Sequence, residues 1–155
     1  MINEARESML GKKRTFRVSE ADARAIDECL EKEGQYAHNK DLDGLMSLYT
    51  EDALFIPPDS DLVVGKKAIR HLFEAWFSTI EGEIEWKAKA EEIIGVGEYL
   101  AIRYTCTQTY VFKDKRKGQG PRTGKPRGVA LYRHTEDGWK LYWDVWNYPD
   151  KQSHN

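Results

Sequence analysis

Ten residues near the C-terminus constrain the fold more than any other stretch. Gly138–Asn147 reads Gly-Trp-Lys-Leu-Tyr-Trp-Asp-Val-Trp-Asn and holds three of the chain's five tryptophans. Glu136-Asp137-Gly138 is a turn signal before it and Tyr148-Pro149 closes it, so a strand is predicted. Alternate residues of a strand face opposite sides. Trp139, Leu141, Trp143, Val145 and Asn147 then share one face, and Lys140, Tyr142, Asp144 and Trp146 the other. Large rings on both faces demand cover on both, because a buried aromatic is among the largest apolar contributions a residue makes. One side should meet the core, the other a partner or a ligand. Alternation does not say which is which, since a single β-bulge would exchange the faces. Asp144 and Asn147, polar groups among these rings, are where function is sought.

The rest of the chain supplies helices first and strands later. Ser19 suits a helix N-cap, with Asp22 three residues on, and Ile26, Cys29, Leu30, Glu33, Tyr36 and Ala37 recur at helical spacing to about Asn39. Asp41 can cap a short second helix with apolar residues Leu42, Leu45, Met46, Leu48 and Tyr49. Ala53–Ile56 is a short strand stopped by Pro57-Pro58, because proline cannot donate to a ladder. Asp59-Ser60-Asp61 is a turn and Leu62–Val64 a second short strand. Beyond Gly65, the set Ile69, Leu72, Phe73, Trp76, Phe77 and Ile80 marks one buried helical face.

After Gly82 the period becomes two, and Ile84, Trp86, Ala88 and Ala90 alternate with charged residues to about Ile94. Gly95–Glu98 turns the chain. Tyr99 to about Phe112 is the next strand, with Leu100, Ile102, Tyr104, Cys106, Gln108 and Tyr110 on one face and threonines on the other. Lys113–Arg127 is rich in Gly and Pro and carries seven basic residues against one acidic. It is predicted as a flexible hairpin loop, either solvated or in contact with a polyanion. Gly128–His134 leads into the final strand. Helices segregated from a mainly antiparallel meander define an α+β class.

The 155 residues suffice for one core, with residues 1–18 as a loose arm, 19–148 as the domain and 149–155 as a tail. A net charge of −2 and a basic stretch without interleaved aromatics argue against a nucleic-acid partner. No segment approaches the run of about 20 apolar residues that a membrane span needs, and the N-terminus shows no apolar run with a cleavage site. Cys29 and Cys106 suit buried free thiols in a reducing compartment, so a cytoplasmic protein is expected. The four histidines form no metal-ligand spacing, and neither a metal nor a cofactor is expected.

Several stretches resemble one family. Asn39–Ala53, Phe55-Ile56-Pro57-Pro58, Val64–Ile69 and Gly138–Asn147 are similar, in order and spacing, to NTF2-like proteins of the SnoaL-like and DUF4440 branches. The resemblance spans Ser19–Tyr148. It implies a cone in which a curved, mainly antiparallel sheet wraps around about three N-terminal helices. A pocket would open at one end, and a homodimer would form through the sheet face. Relatives include ketosteroid isomerases, polyketide cyclases, dehydratases, hydrolases and association modules, so fold alone does not name a chemistry.

On that frame Asp144 is the candidate catalytic group. Polyketide cyclases look similar in using an acid/base Asp from a late strand, and burial would favour the neutral carboxyl and bring it towards useful acid–base range. The alternative is a structural hydrogen bond across the sheet or dimer interface. Tyr36 resembles the helix-one tyrosine that donates to the oxyanion in ketosteroid isomerases, or is a rim or core aromatic. Tyr104, Gln108 and Tyr110 form an apolar wall with polar handles, the makeup of a small-molecule pocket. Phe55, Trp143, Trp146 and Asn147 complete the candidate lining, Asn147 orienting a ligand or simply ending the strand. Two functions follow: cofactor-independent isomerisation, cyclisation, dehydration or hydrolysis of a small apolar or carbonyl compound, or a non-catalytic ligand-binding or dimerisation module.

Overall fold

The computed structural model describes residues 14–149, with side chains from Arg17 onwards. Most of the expected arm and the tail after Pro149 lie outside the described residues. Three helices, α1 (Glu20–His38), α2 (Leu42–Ser47) and α3 (Lys66–Ser78), alternate with the first strands. The strands are β1 (Arg14–Phe16), β2 (Tyr49–Ile56), β3 (Val63–Val64), β4 (Ile80–Val96), β5 (Tyr99–Phe112), β6 (Arg122–Gly124), β7 (Arg127–Thr135) and β8 (Gly138–Asn147). They form one curved, open sheet in the order β1-β4-β5-β7-β8-β2-β3, with β6 paired to β5. Among the described residues only β1 with β4 and β2 with β8 run parallel, so the sheet is mostly antiparallel and the class is α+β.

Local chemistry accounts for the element ends. The Ser19 side chain accepts from the Asp22 amide and starts α1. The Asp22 carboxylate does not return to the cap; it accepts from Trp139 Nε1 at 3.1 Å and ties the helix start to β8. Asp41 caps α2 by accepting from the Gly44 amide. Gly65, at φ +89°, opens α3 in a conformation that residues with a Cβ rarely adopt.

Four boundaries differ from the sequence reading. Tyr49 belongs to β2, its ring 2% exposed in the core, and Ile80 begins β4; each follows a helical apolar row in sequence and continues the same core from a strand. The basic stretch is not one flexible loop, because Arg122–Gly124 pairs with Gln108–Tyr110 of β5. Part of the expected arm, Arg14–Phe16, is a strand beside Glu92–Ile94.

The inner face of the sheet meets the helices. Ile26, Leu30 and Ala37 of α1 and Ile69, Phe73 and Phe77 of α3 are buried against Ile84, Ile93, Leu100, Ile102, Tyr132 and Leu141. α1 approaches β4 so closely that a Cβ added to Gly34 would lie 2.5 Å from the Trp86 carbonyl oxygen.

In β8 the expected alternation holds only as far as Leu141. Tyr132 pairs with Leu141 but Leu131 pairs with Trp143, so Tyr142 is an extra residue in the strand. This bulge turns Asp144 and Trp146 inwards on the same side as Trp139 and Leu141, and sends Trp143, Val145 and Asn147 outwards.

Candidate functional site

A cavity of about 420 Å³ opens between α3, the end of β2 and the inner face of β4, β5 and β8. Leu72, Phe73 and Trp76 come from α3, Phe55 and the turn Pro57–Ser60 from β2 and its exit. Trp86, Tyr104, Cys106, Gln108, Trp146 and Tyr148 supply the sheet side, with buried Pro126 beside them. Its size and apolar lining match a small-molecule site. At the inner end stand Glu33 of α1, Tyr104 and Asp144, which also border a much smaller void among core residues Leu30, Ala130, Tyr132 and Leu141.

The spacing of strands brings Tyr104 and Asp144 together. β7 lies between β5 and β8, and its residues Gly128 and Ala130 pair with Tyr104 and Ile102 on one side and Trp146 and Asp144 on the other. Because both are small, the Tyr104 ring crosses β7; a Cβ on Gly128 would come within 2.9 Å of the Tyr104 hydroxyl and collide with the Val145 carbonyl. The hydroxyl donates to Asp144 Oδ1 at 2.8 Å.

Two carboxyls are buried in this apolar setting, Asp144 at 7% exposure and Glu33 at 8%. Burial raises the Asp144 pKa to about 7, with the Tyr104 hydrogen bond pulling the other way. Glu33 is raised to about 8, first by burial and then by the charge of Asp144. The carboxylate that receives a hydroxyl donor ionises first, and its neighbour, facing that charge, keeps its proton. Both shifts favour the neutral carboxyl, and the hydrogen-bonded Asp144 is the more readily ionised of the two. The Cys106 thiol on the same wall is pushed well up by burial, which keeps it protonated and a poor nucleophile. Trp86 Nε1, on the same wall, is a buried donor without a hydrogen-bond partner.

Of the residues singled out from sequence, Phe55, Tyr104, Gln108, Asp144 and Trp146 line this cavity. The other four stand elsewhere. Tyr36 lies against Gly44 at the α1–α2 corner. Tyr110 is on the same face of β5 as Gln108 but outside the lining, its ring edge-on to Trp76 at 5.4 Å. Trp143 is 45% exposed on the outer face, and Asn147 is exposed opposite Arg127; the bulge moved both. Sequence reasoning missed Glu33, although a carboxylate inside the apolar row of α1 was itself a signal. It also left Trp76 and Trp86 to the core alone and overlooked the turn Pro57–Ser60.

Among the described residues, three helices laid on one face of a curved, mostly antiparallel open sheet define an α+β protein of the cystatin-like kind. The chain belongs to the SnoaL-like domain family, whose model matches residues 35–142. Solved structures agree on the fold. A nuclear transport factor 2 (NTF2-like) superfamily protein from Salmonella enterica serovar Typhimurium LT2 is 16% identical, with a TM-score of 0.74 over 89% of this chain and 98% of its own. A ketosteroid isomerase-like protein from Erwinia carotovora atroseptica SCRI1043 is 15% identical, with a TM-score of 0.65 over 82% of this chain and 96% of its own. An NTF2-like protein with a cystatin-like fold from Novosphingobium aromaticivorans is 16% identical, with a TM-score of 0.62 over 86% of this chain and 85% of its own. No curated protein matches the chain.

Proposed function

We propose that this chain is a cofactor-independent acid–base enzyme acting on a small apolar carbonyl compound. The observation that carries the reading is the Tyr104–Asp144 hydrogen bond at the inner end of an apolar cavity, with Glu33 beside it. Asp144 as carboxylate takes a proton from the carbon next to the carbonyl. The C–H electron pair becomes the enol double bond, and protonated Glu33 gives its proton to the carbonyl oxygen. Return of the proton from Asp144 to a different carbon is an isomerisation; in a β-hydroxy ketone, Asp144 instead gives that proton to the departing hydroxyl, the enol O–H proton returns to Glu33 as the enol electrons expel water, and the result is a dehydration. A base and an acid whose environments separate their pKa values are what such chemistry requires. The ketosteroid isomerase-like neighbour is consistent with this class.

The elementary step is testable without knowing the net reaction. A panel of small cyclic and aryl ketones is incubated with the protein in deuterium oxide, and exchange of the α-hydrogens is followed by proton NMR. For at least one ketone, exchange faster than in buffer is expected, with a bell-shaped pH dependence whose limbs follow Asp144 and Glu33. Asp144→Asn should slow it by about 100-fold or more, the usual weight of a positioned base. Exchange that survives that substitution unchanged, or no exchange above buffer for any ketone, overturns the proposal in favour of a binding module.

Assembly is a second, compatible element of the proposal. Register aligns Leu54, Trp143 and Leu131 in one row across β2, β8 and β7, and Ile56, Val145 and Val129 in the next, all on the outer face. Such a contiguous apolar patch marks an interaction surface, and a second copy of the chain through this face is the proposed occupant.

A further inference from the structure

We infer that the ligand of this cavity carries a carboxylate, and that Arg122 holds it at the mouth while the apolar carbonyl part reaches Asp144. The inference rests on the acid–base reading for the second half of that statement only. Register sets Arg122 of β6 directly opposite Tyr110 of β5, and Gly124 opposite Gln108. Opposed residues of an antiparallel pair project from the same face, and Gln108 lines the cavity. Arg122 is therefore on the inward face, one pair further out than Gln108. A Cβ on Gly124 would lie 3.0 Å from the ring of Tyr148, a lining residue, so β6 forms part of the rim.

The Arg122 guanidinium stacks 5.4 Å from the centroid of Phe112 and is half-buried. Two other cations of this segment are paired, Lys115 with Glu81 and Arg116 with Asp114, while Lys117 shares the Phe112 ring with Arg122, its Nζ also 5.4 Å from the centroid. No carboxylate pairs with Arg122 among the described residues. A cation held by stacking, and left without an anion, is a preorganised fork for a carboxylate. Its charge reaches the rim hydroxyls, where it opposes the effect of burial on Tyr110 and Tyr148.

The charge distribution points the same way. Lys113–Arg127 has seven basic residues and one acidic, so with a net charge of −2 the remainder of the chain carries −8. The segment that carries β6 is thus locally basic, which favours the approach of anions.

The test compares 2-naphthoate with its neutral isostere 2-naphthamide, using the full chain and calorimetric or ligand-observed NMR titration. Wild type is expected to bind the acid about tenfold more tightly than the amide, in keeping with a charge-assisted bidentate bond. Arg122→Met, which keeps the apolar stem over Phe112, should bring the two within about twofold of each other. Arg122→Lys should leave an intermediate preference, and Lys117→Met, which removes a neighbouring cation, should leave the wild-type ratio. Equal binding of acid and amide by wild type, a preference that persists in Arg122→Met, or no millimolar binding of either compound overturns the inference. Binding and proton exchange are separate readouts, so loss of the acid–base reading through Asp144→Asn leaves the acid-over-amide ratio as an independent result.

Discussion

At the residue scale the least ordinary feature is a pair of carboxyls inside an apolar cavity. Their cost has a testable sign. Burial raises the Glu33 pKa from the ordinary carboxylate range to about 8, so the folded state binds this proton more tightly than the unfolded chain. Its contribution to stability is fully present below the unfolded value and is lost as pH rises through the folded one. Glu33→Gln removes that loss while keeping shape and one donor. Against wild type, the variant should gain unfolding free energy as the pH goes from 5 to 9, on the order of 3 kcal/mol for a carboxyl held this far from its free pKa, read by urea denaturation at the two pH values. An equal difference at both pH values would show that Glu33 is not kept protonated by the fold. Sequence exposed half of this pair. Asp144 was legible because it interrupts a run of aromatics, whereas Glu33 sat in an apolar row of α1 and looked like one more helical position. What no spacing reveals is that β7 offers Gly128 and Ala130, through which Tyr104 passes to reach Asp144.

At the element scale the site depends on how closely α1 rides on β4. Gly34 follows Glu33, and its missing side chain lets the helix approach the Trp86 carbonyl. Glycine inside a helix ordinarily costs about 1 kcal/mol relative to alanine, so Gly34→Ala would stabilise an exposed helix. Here the added Cβ lies 2.5 Å from backbone, which cannot rotate away. The expected outcome is therefore reversed in sign: a loss of about 2 kcal/mol, the range of overpacked positions, read by urea denaturation. Glu33 should be displaced with the helix, so a smaller rise of its pKa should accompany the loss. A neutral or stabilising alanine would mean that α1 stands further from β4 than the packing requires. Element type was legible wherever a period ran long, as in α1, α3, β4 and β5. It failed at junctions, at Tyr49 and Ile80, where a strand continues the apolar row of the preceding helix and the period gives no sign of the change. The bulge at Tyr142 was foreseeable as a possibility but not as a place, because its cause is the register with β7.

At the scale of the whole molecule two faces of one sheet do different work, and β8 belongs to both. Its inward residues Asp144 and Trp146 serve the cavity; its outward residues Trp143 and Val145 are 45% and 44% exposed, beside Val129 at 56% and Ile56 at 37%. A soluble surface seldom leaves a tryptophan uncovered in the middle of a sheet with apolar neighbours on both flanking strands. If a second copy covers this face, light scattering after size exclusion should give twice the 18.0 kDa of one chain. Trp143→Glu places a charge at the centre of the patch, where desolvation without a partner is costly, and should return the mass to that of a single chain. The substituted side chain points away from the cavity, so an intact cavity is expected in the resulting monomer, with the same preference between 2-naphthoate and 2-naphthamide. A wild-type protein that runs as a monomer at high concentration would sink the dimer. Loss of ligand binding together with loss of the dimer would instead show that the second copy braces β8 and, through the bulge, sets the position of Asp144.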